Sequence, residues 1–362
     1  MSRLLLVNPP QGSNTDIPNL ALGYIAPALG GAEVLDLNTG CPHEAALATS
    51  VLLTYNGPAV YFSVQSRSDL MARSLAGAYS TLWPLATVGS CTCGLDVQCS
   101  YPFLKWPDNR QVDRASVPDY SSFTSFPTFL RNWQAGRWPY PLLTSFGCPF
   151  QCTYCAARNR AWKARPLHEG ETELRHAVAT LKARRLAVLD DCFNLRTLHV
   201  LSVCRALREA KAQWMCTNGL RADRLTKIQA VAMADSGCIN VALGVETSDP
   251  ELLEKIGKGE TIKEIERGIG IAQANFPSVT VYLIIGLPGS SYDLDRRTLD
   301  WAAKQDVYVH ASMYLDTPLV GLAEGIFETN IRSSSVYDAY QQADVCAQAQ
   351  CLAAPTRNLW QT

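Results

Sequence analysis

Residues 142–155 read Leu142-Leu143-Thr144-Ser145-Phe146-Gly147-Cys148-Pro149-Phe150-Gln151-Cys152-Thr153-Tyr154-Cys155. A short apolar run ends in a glycine, and three cysteines follow at C-x3-C-x2-C spacing. The run predicts a buried strand over 142–146 and puts the cysteines on the loop at its C-terminal end. Further apolar runs at 186–190, 213–217, 239–245, 279–287 and 307–315 read as strands. Helical spacing fills most of the gaps, at 172–185, 195–211, 223–235, 261–275 and 292–305. Strand and helix thus alternate roughly six times. That count predicts a (βα)6 partial TIM barrel rather than the full eight units, with its chemistry on loops at the C-terminal ends of the strands.

Upstream, Arg3–Val7, Ala32–Leu37, Ala59–Val64 and Leu85–Val88 read as short strands, with helices over Leu20–Leu29 and Leu70–Trp83. This alternation predicts a Rossmann-like parallel sheet, so the whole chain is α/β. The boundaries expected are a Rossmann-like domain over 1–110, a linker over 111–140, the barrel over 141–317 and a C-terminal segment over 318–362 that closes the pocket. The linker reading rests on recurrent prolines, Pro102, Pro107, Pro118, Pro127 and Pro139, among many aromatics. One helix is expected near Val336–Gln350.

Composition narrows the function classes. The 362 residues are 47% hydrophobic and 18% charged, too apolar for a disordered chain. Lys+Arg 32 against Asp+Glu 33 argues against an electrostatically driven nucleic-acid binder and against a polybasic membrane anchor. The opening MSRLLLVNPP is shorter in apolar residues than a secretory signal, and no stretch approaches a membrane span. A cytoplasmic protein is expected. Its 13 cysteines then point to metal binding, catalysis or free thiols rather than to disulfides.

Three thiolates spaced as Cys148, Cys152 and Cys155 can wrap one iron–sulfur cluster, because soft sulfur ligands suit that metal. A cluster confined to electron transfer usually takes four. Three leave one iron open, the mark of a catalytic centre. The alternatives are a structural zinc site, for which no second C-x2-C pair exists, or a non-enzymatic iron–sulfur redox protein. Cys91, Cys93 and Cys99 are dense but lack an evident fourth ligand, and their role stays open.

The cysteine run, with Tyr154 before the last cysteine, resembles the radical S-adenosylmethionine (SAM) superfamily. Thr144–Pro149, Leu189–Asn194, Gly244–Ser248 and Ile285–Gly289 resemble its subgroup with an N-terminal cobalamin-binding domain, as do Asn8-Pro9-Pro10 and Leu22-Gly23-Tyr24. The resemblance implies that Cys148, Cys152 and Cys155 hold a [4Fe-4S] cluster whose open iron is chelated by SAM. An electron through the cluster then cleaves the S–C5′ bond, and the 5′-deoxyadenosyl radical abstracts hydrogen from an unreactive carbon. It also implies a reductant such as flavodoxin or ferredoxin. The substrate, a small metabolite or a peptide, is not specified.

With cobalamin, the implied reaction is methylation of an unactivated carbon. Without it, a rearrangement, cyclisation or oxidation is implied. The D-x-H-x-x-G cobalamin pattern is absent; Asp36-Leu37-Asn38-Thr39-Gly40 carries Asn in place of His, and the domain is short.

On this resemblance several residues are candidates. Asp190 and Asp191 end the second barrel strand and suit the SAM ammonium or ribose; the alternative is helix capping, for which Asn194 is better placed. Asn218 suits a ribose or carboxylate, or is a turn residue before Gly219. Glu246 suits a polar contact to SAM, or an ion pair with Lys258 or Arg221. Ser248 stands beside it. Gly286 lets backbone approach adenine, or simply turns the chain. Tyr154 suits adenine contact. Tyr314 and Asp316 end the last strand on the expected substrate side and are the candidate catalytic residues. His176 and His199 read as surface or boundary residues, and Cys192 reads as a core thiol.

Overall fold

The computed structural model describes residues 4–8, 18–30, 32–38, 48–52, 54–55, 59–63, 87–91, 104–105, 111–112, 115–155 and 157–314. Beyond these it describes 341, 344–345, 347–349 and 352. The expected helix over Leu70–Trp83 lies outside the described residues, as do Cys93, Cys99 and Asp316. The described positions between 341 and 352 are all helical. The chain divides into two compact units, Met1–Pro141 and Leu142–Thr362.

In the first unit four short strands form one sheet in the order β2-β1-β3-β4. They are β1 (Leu5–Asn8), β2 (Glu33–Asp36), β3 (Ala59–Ser63) and β4 (Thr87–Cys91), and every pairing is parallel. Helix α1 (Leu20–Ala28) starts on Asn19, whose side chain accepts from Leu22 N. Two-residue strands β5 (Leu104–Lys105) and β6 (Gln111–Val112) form a small antiparallel pair.

Residues 115–140, within the expected linker, pack onto this unit. Val34 N donates to Ser122 O and Thr124 N to Val34 O, which lays the segment along β2. Helix α2 (Phe126–Ala135) carries Pro127 in its first turn, where the missing N–H costs nothing. Tyr120, Trp133 and Tyr140 meet edge-on and Phe129 stacks on Trp133, forming one aromatic cluster with ring centroids 4.9–5.9 Å apart. A side chain at Gly23 would meet the Tyr120 ring at 2.3 Å, so only glycine admits this packing.

The second sheet runs in the order β14-β13-β12-β11-β10-β7. Its strands are β7 (Tyr140–Leu142), β10 (Arg185–Val188), β11 (Gln213–Leu220), β12 (Cys238–Glu246), β13 (Ser278–Ile285) and β14 (Tyr308–Met313). Pairings from β10 to β14 are parallel. Helices α3 (Leu167–Arg175), α4 (Thr197–Ala210), α5 (Lys227–Asp235), α6 (Pro250–Lys255), α7 (Ile262–Gln273) and α8 (Tyr292–Ala303) alternate with the strands. This is the partial-barrel arrangement expected. The central strands bury nearly every residue, as a sheet covered on both faces must.

Two details depart from expectation. The strand anticipated over 142–146 is broken: β7 stops at Leu142, and β8 (Ser145–Phe146) pairs antiparallel with β9 (Lys163–Ala164) instead. Asn194 does not cap α4, whose N-cap is Arg196 without a side-chain bond. It clamps the backbone of Arg221 instead, giving to its O at 2.8 Å and accepting from its N at 3.1 Å.

Candidate active site at the cysteine loop

The cysteine loop leaves β8 through Gly147, which has φ +81. A side chain there would meet Ala161 O at 2.4 Å, so the glycine lets the loop double back on itself. Asn159 N donates to Phe150 O and Arg160 N to Cys148 O, closing the loop from both arms. Cys155 N donates to Cys152 O at 3.0 Å, which folds the last two cysteines into one turn.

The loop is braced from below by the segment after α6. Thr153 N donates to Ile256 O at 2.8 Å, and Gly257 passes close to Gln151 O. Arg221 places its guanidinium 3.6 Å from the centre of the Phe150 ring and donates to the backbone oxygens of Lys258 and Gly259. Asp223 and Glu260 neutralise that guanidinium.

The strand ends meet this loop in different ways. Asp190 is buried, and its carboxylate accepts from Thr144 N, Thr144 Oγ1 and Ser145 Oγ at 2.5–2.6 Å. Its carboxylate holds the broken first strand in place. His199 completes that network from α4, 2.9 Å from Thr144 Oγ1; its reading as a surface or boundary residue missed this contact. Asp191 accepts from Gly147 N at 2.9 Å, and burial raises its carboxyl above the usual range. Asn218 donates to the backbone oxygens of Leu189 and Asp190, bonds that leave its amide oxygen unused.

Glu246 closes β12 with φ +70, a conformation that non-glycine residues rarely take. The turn folds its carboxylate back onto Lys258 Nζ at 3.0 Å. This is the ion pair with Lys258 weighed for Glu246. A side chain at Gly244 would meet Glu246 Oε1 at 2.8 Å, so that glycine makes room for the pair. Ser248 is turned toward α8, its N and Oγ both 3.2 Å from Thr298 Oγ1. Gly286, at φ +77, spends its N–H on Asp295 Oδ2 at 2.8 Å. Tyr314 is buried with Leu252, Ile256 and Leu287, and Tyr154 packs against the same cluster.

The electrostatics separate the three cysteines. The neighbouring Cys192 lowers the Cys148 thiol to about 7, while Cys192 itself is buried in the core. Burial raises Cys152, and pushes Cys155 up to about 11. Burial also lifts the Tyr154 hydroxyl far above its ordinary range, helped by the Glu246 charge. Against burial, which would lower it, Glu246 and Glu260 hold Lys258 above its ordinary value and therefore charged.

Among the described residues, no three His, Cys, Asp or Glu side chains converge as ligands of a single ion would. A cubane asks for less convergence, since each cysteine binds a different iron. Three soft donors on one closed loop fit such a cluster. Lys258, Arg221 and Asp295 are the parts that sequence reasoning left aside or treated only as ion-pair partners. Lys258 and Arg221 lie far along the chain from Tyr154 and Phe150, and Asp295 sits nine residues from Gly286.

Comparison with known proteins agrees with this geometry. Residues 142–302 match the radical SAM superfamily. The uncharacterized methyltransferase PH0819 of Pyrococcus horikoshii is 24% identical over 216 residues, 59% of this chain and 46% of that protein. Bacteriochlorophyllide d C-12(1)-methyltransferase of Chlorobaculum tepidum is 21% identical over 168 residues, 44% of this chain and 36% of that protein. The chain thus spans less than half the length of these curated relatives. Among solved structures, the radical SAM methyltransferase TsrM of Kitasatospora setae, with cobalamin and a [4Fe-4S] cluster bound, superposes at a TM-score of 0.66 and 17% identity, over 88% of this chain and 76% of that one. The cobalamin-dependent radical SAM enzyme OxsB superposes at 0.61 and 17% identity, over 83% and 52%. The fold is that of these enzymes, and the match to the radical SAM superfamily spans residues 142–302, which include the three-cysteine loop at the strand ends.

Proposed function

We propose that the protein is a radical SAM methyltransferase that acts on an unactivated carbon with the help of cobalamin. The carrying observation is the closed loop of Cys148, Cys152 and Cys155 at the C-terminal end of a six-stranded partial barrel. Cys148, Cys152 and Cys155 would hold a [4Fe-4S] cluster there, which would supply the one-electron chemistry that cleaves SAM to a 5′-deoxyadenosyl radical.

The residues of this chain position and shield that event. Cys148, Cys152 and Cys155 supply three thiolates. Asp191 fixes the start of the loop through Gly147 N and presents a carboxyl beside it. Asn218 offers its amide oxygen to a ribose or ammonium. Tyr314, with Leu252, Ile256 and Leu287, keeps water from the floor of the site. Asp316 is the proposed polar group on the substrate side. The electron comes from a one-electron donor such as flavodoxin or ferredoxin.

The methylation reading is supported by the two methyltransferases among its sequence relatives and by the fold shared with TsrM and OxsB. The first unit suits a flat cofactor in one respect. Its sheet order reverses between β1 and β3, and ligands of open parallel sheets bind at such a switch point. Asp36, at the end of β2, accepts from Asn8, Ser125 and Asn38 N, and Asn38 offers no imidazole. Cobalamin in this unit would therefore be held without a histidine ligand from residues 36–40.

The test is anaerobic reconstitution of the full chain with iron and sulfide, followed by reductant and SAM. Formation of 5′-deoxyadenosine, lost in Cys152→Ala, is expected. Reconstituted protein that binds SAM yet never cleaves it would leave a redox protein as the reading.

A further inference from the structure

A cavity of about 680 Å³ opens in the second unit between α3 and α4, and none of the three cysteines lines it. That volume is in the range of small-molecule sites. Its wall is graded along α4, from Arg196 and His199 at the start of the helix to Val203, Ala206 and Leu207 one to two turns on, with Leu174 facing from α3. Leu198 and Leu167 also line it, although they are 79% and 36% exposed.

Trp162 holds the polar end together. The Arg196 guanidinium stands 5.1 Å from the ring centre, and His199 meets the ring edge-on at 5.2 Å. The His199 side chain is 10% exposed, and its Nε2 lies 2.9 Å from Thr144 Oγ1. Thr144 gives its one hydroxyl proton to Asp190, so it accepts from Nε2–H and leaves Nδ1 as an acceptor. Nδ1 has no partner among the described residues.

Both helices open at this cavity without a side-chain cap, α3 on Pro166 and α4 on Arg196. The four later helices of the unit are capped by Thr226, Asp249, Thr261 and Ser291. First-turn N–H groups beside a guanidinium favour an anion. Glu171 opposes one on α3, and Glu169 is paired with Arg165, whereas α4 has no acid in its first turn. An anionic head therefore belongs at the α4 end.

We propose that this cavity binds an amphiphile with an acidic head, an alkyl carboxylic acid or an alkyl phosphate. The head shares its proton with His199 Nδ1, and its other oxygens accept from Arg196 and the first-turn N–H groups of α4. The hydrocarbon chain lies along Val203, Ala206, Leu207 and Leu174. The site is separate from the cysteine loop and does not rest on the function proposed above.

The test is calorimetric titration of the full chain with decanoate and with decyl phosphate, each below its micelle concentration. One saturable site per chain is expected, and the tighter of the two identifies the head. Decan-1-ol and decyltrimethylammonium should bind about tenfold more weakly or worse. Arg196→Gln, at an exposed position, should weaken the anion about tenfold, and Ala206→Phe should abolish binding by filling the cavity. Anions that do not bind, or that bind Ala206→Phe as tightly as wild type, overturn the site. Alcohol or ammonium binding as tight as the anion's overturns the acidic head. Where Ala206→Phe fails to fold, undiminished affinity in Arg196→Gln overturns the proposal in its place.

Discussion

Gly147 carries a demand that no other residue can meet. Its φ of +81 excludes ordinary side chains, and a Cβ would stand 2.4 Å from a backbone oxygen that cannot swing away. Gly147→Ala should therefore destabilise the protein by about 2 kcal/mol or more, read as a lowered thermal midpoint, and should impair cluster retention because Cys148 follows directly. An unchanged midpoint would show that the loop relaxes more freely than its bonds suggest. The cysteines make a different demand. Each of Cys148→Ala, Cys152→Ala and Cys155→Ala should keep the circular dichroism of the fold while losing the iron–sulfide absorbance and SAM cleavage. Their thiols are on a loop braced by backbone bonds, so the scaffold does not depend on the sulfur.

Between elements, Asp295 ties α8 to the end of β13, accepting from Gly286 N and Ser290 Oγ. Burial raises its carboxyl to about 6, although both hydrogen bonds favour the charged form. The folded-state value lies above the unfolded one, so protonation stabilises the fold below about pH 4, and that contribution is lost as pH rises through 6. Asp295→Asn should thus gain relative to wild type at neutral pH, by up to roughly 3 kcal/mol, and the gap should close on acidification. Urea midpoints of both proteins at pH 7 and pH 4.5 check this; a gap that stays constant removes Asp295 from the pH dependence. The elements themselves were mostly legible in the sequence, because buried parallel strands are continuous apolar runs and the helices between them show helical spacing. The misses have physical causes. Prolines made 126–135 look irregular, yet Pro127 sits in the first turn, where helices accept it. Pro250 likewise opens α6 behind its Asp249 cap, so that short helix went unread. The break after Leu142 comes from Asp190 capturing Thr144 and Ser145, some 45 residues away, which no local pattern reports. The three cysteines could be read because they are close in sequence. The contacts of Tyr154 with Lys258 and of Asp190 with His199 exist only once the sheet is assembled.

At the scale of the whole molecule, the two cofactors proposed for this chain fall to two separately compact units, divided between Pro141 and Leu142. The thiolates all belong to the second unit. The reversal of sheet order between β1 and β3 belongs to the first, whose described core is stabilised by Asp36, Ser125 and the aromatic cluster around Trp133. Loading of iron and of cobalt should therefore be separable. Full-length protein reconstituted anaerobically and offered hydroxocobalamin should retain stoichiometric cobalt after gel filtration. Cys152→Ala should lose iron yet keep the cobalt, as measured by metal analysis of the same fractions. Wild-type protein that loads iron and cleaves SAM but retains no cobalt would assign the first unit another task, and would turn the chemistry toward a cobalamin-free rearrangement, cyclisation or oxidation. Cobalt lost together with iron would mean instead that the cobalamin site is not built by the first unit alone.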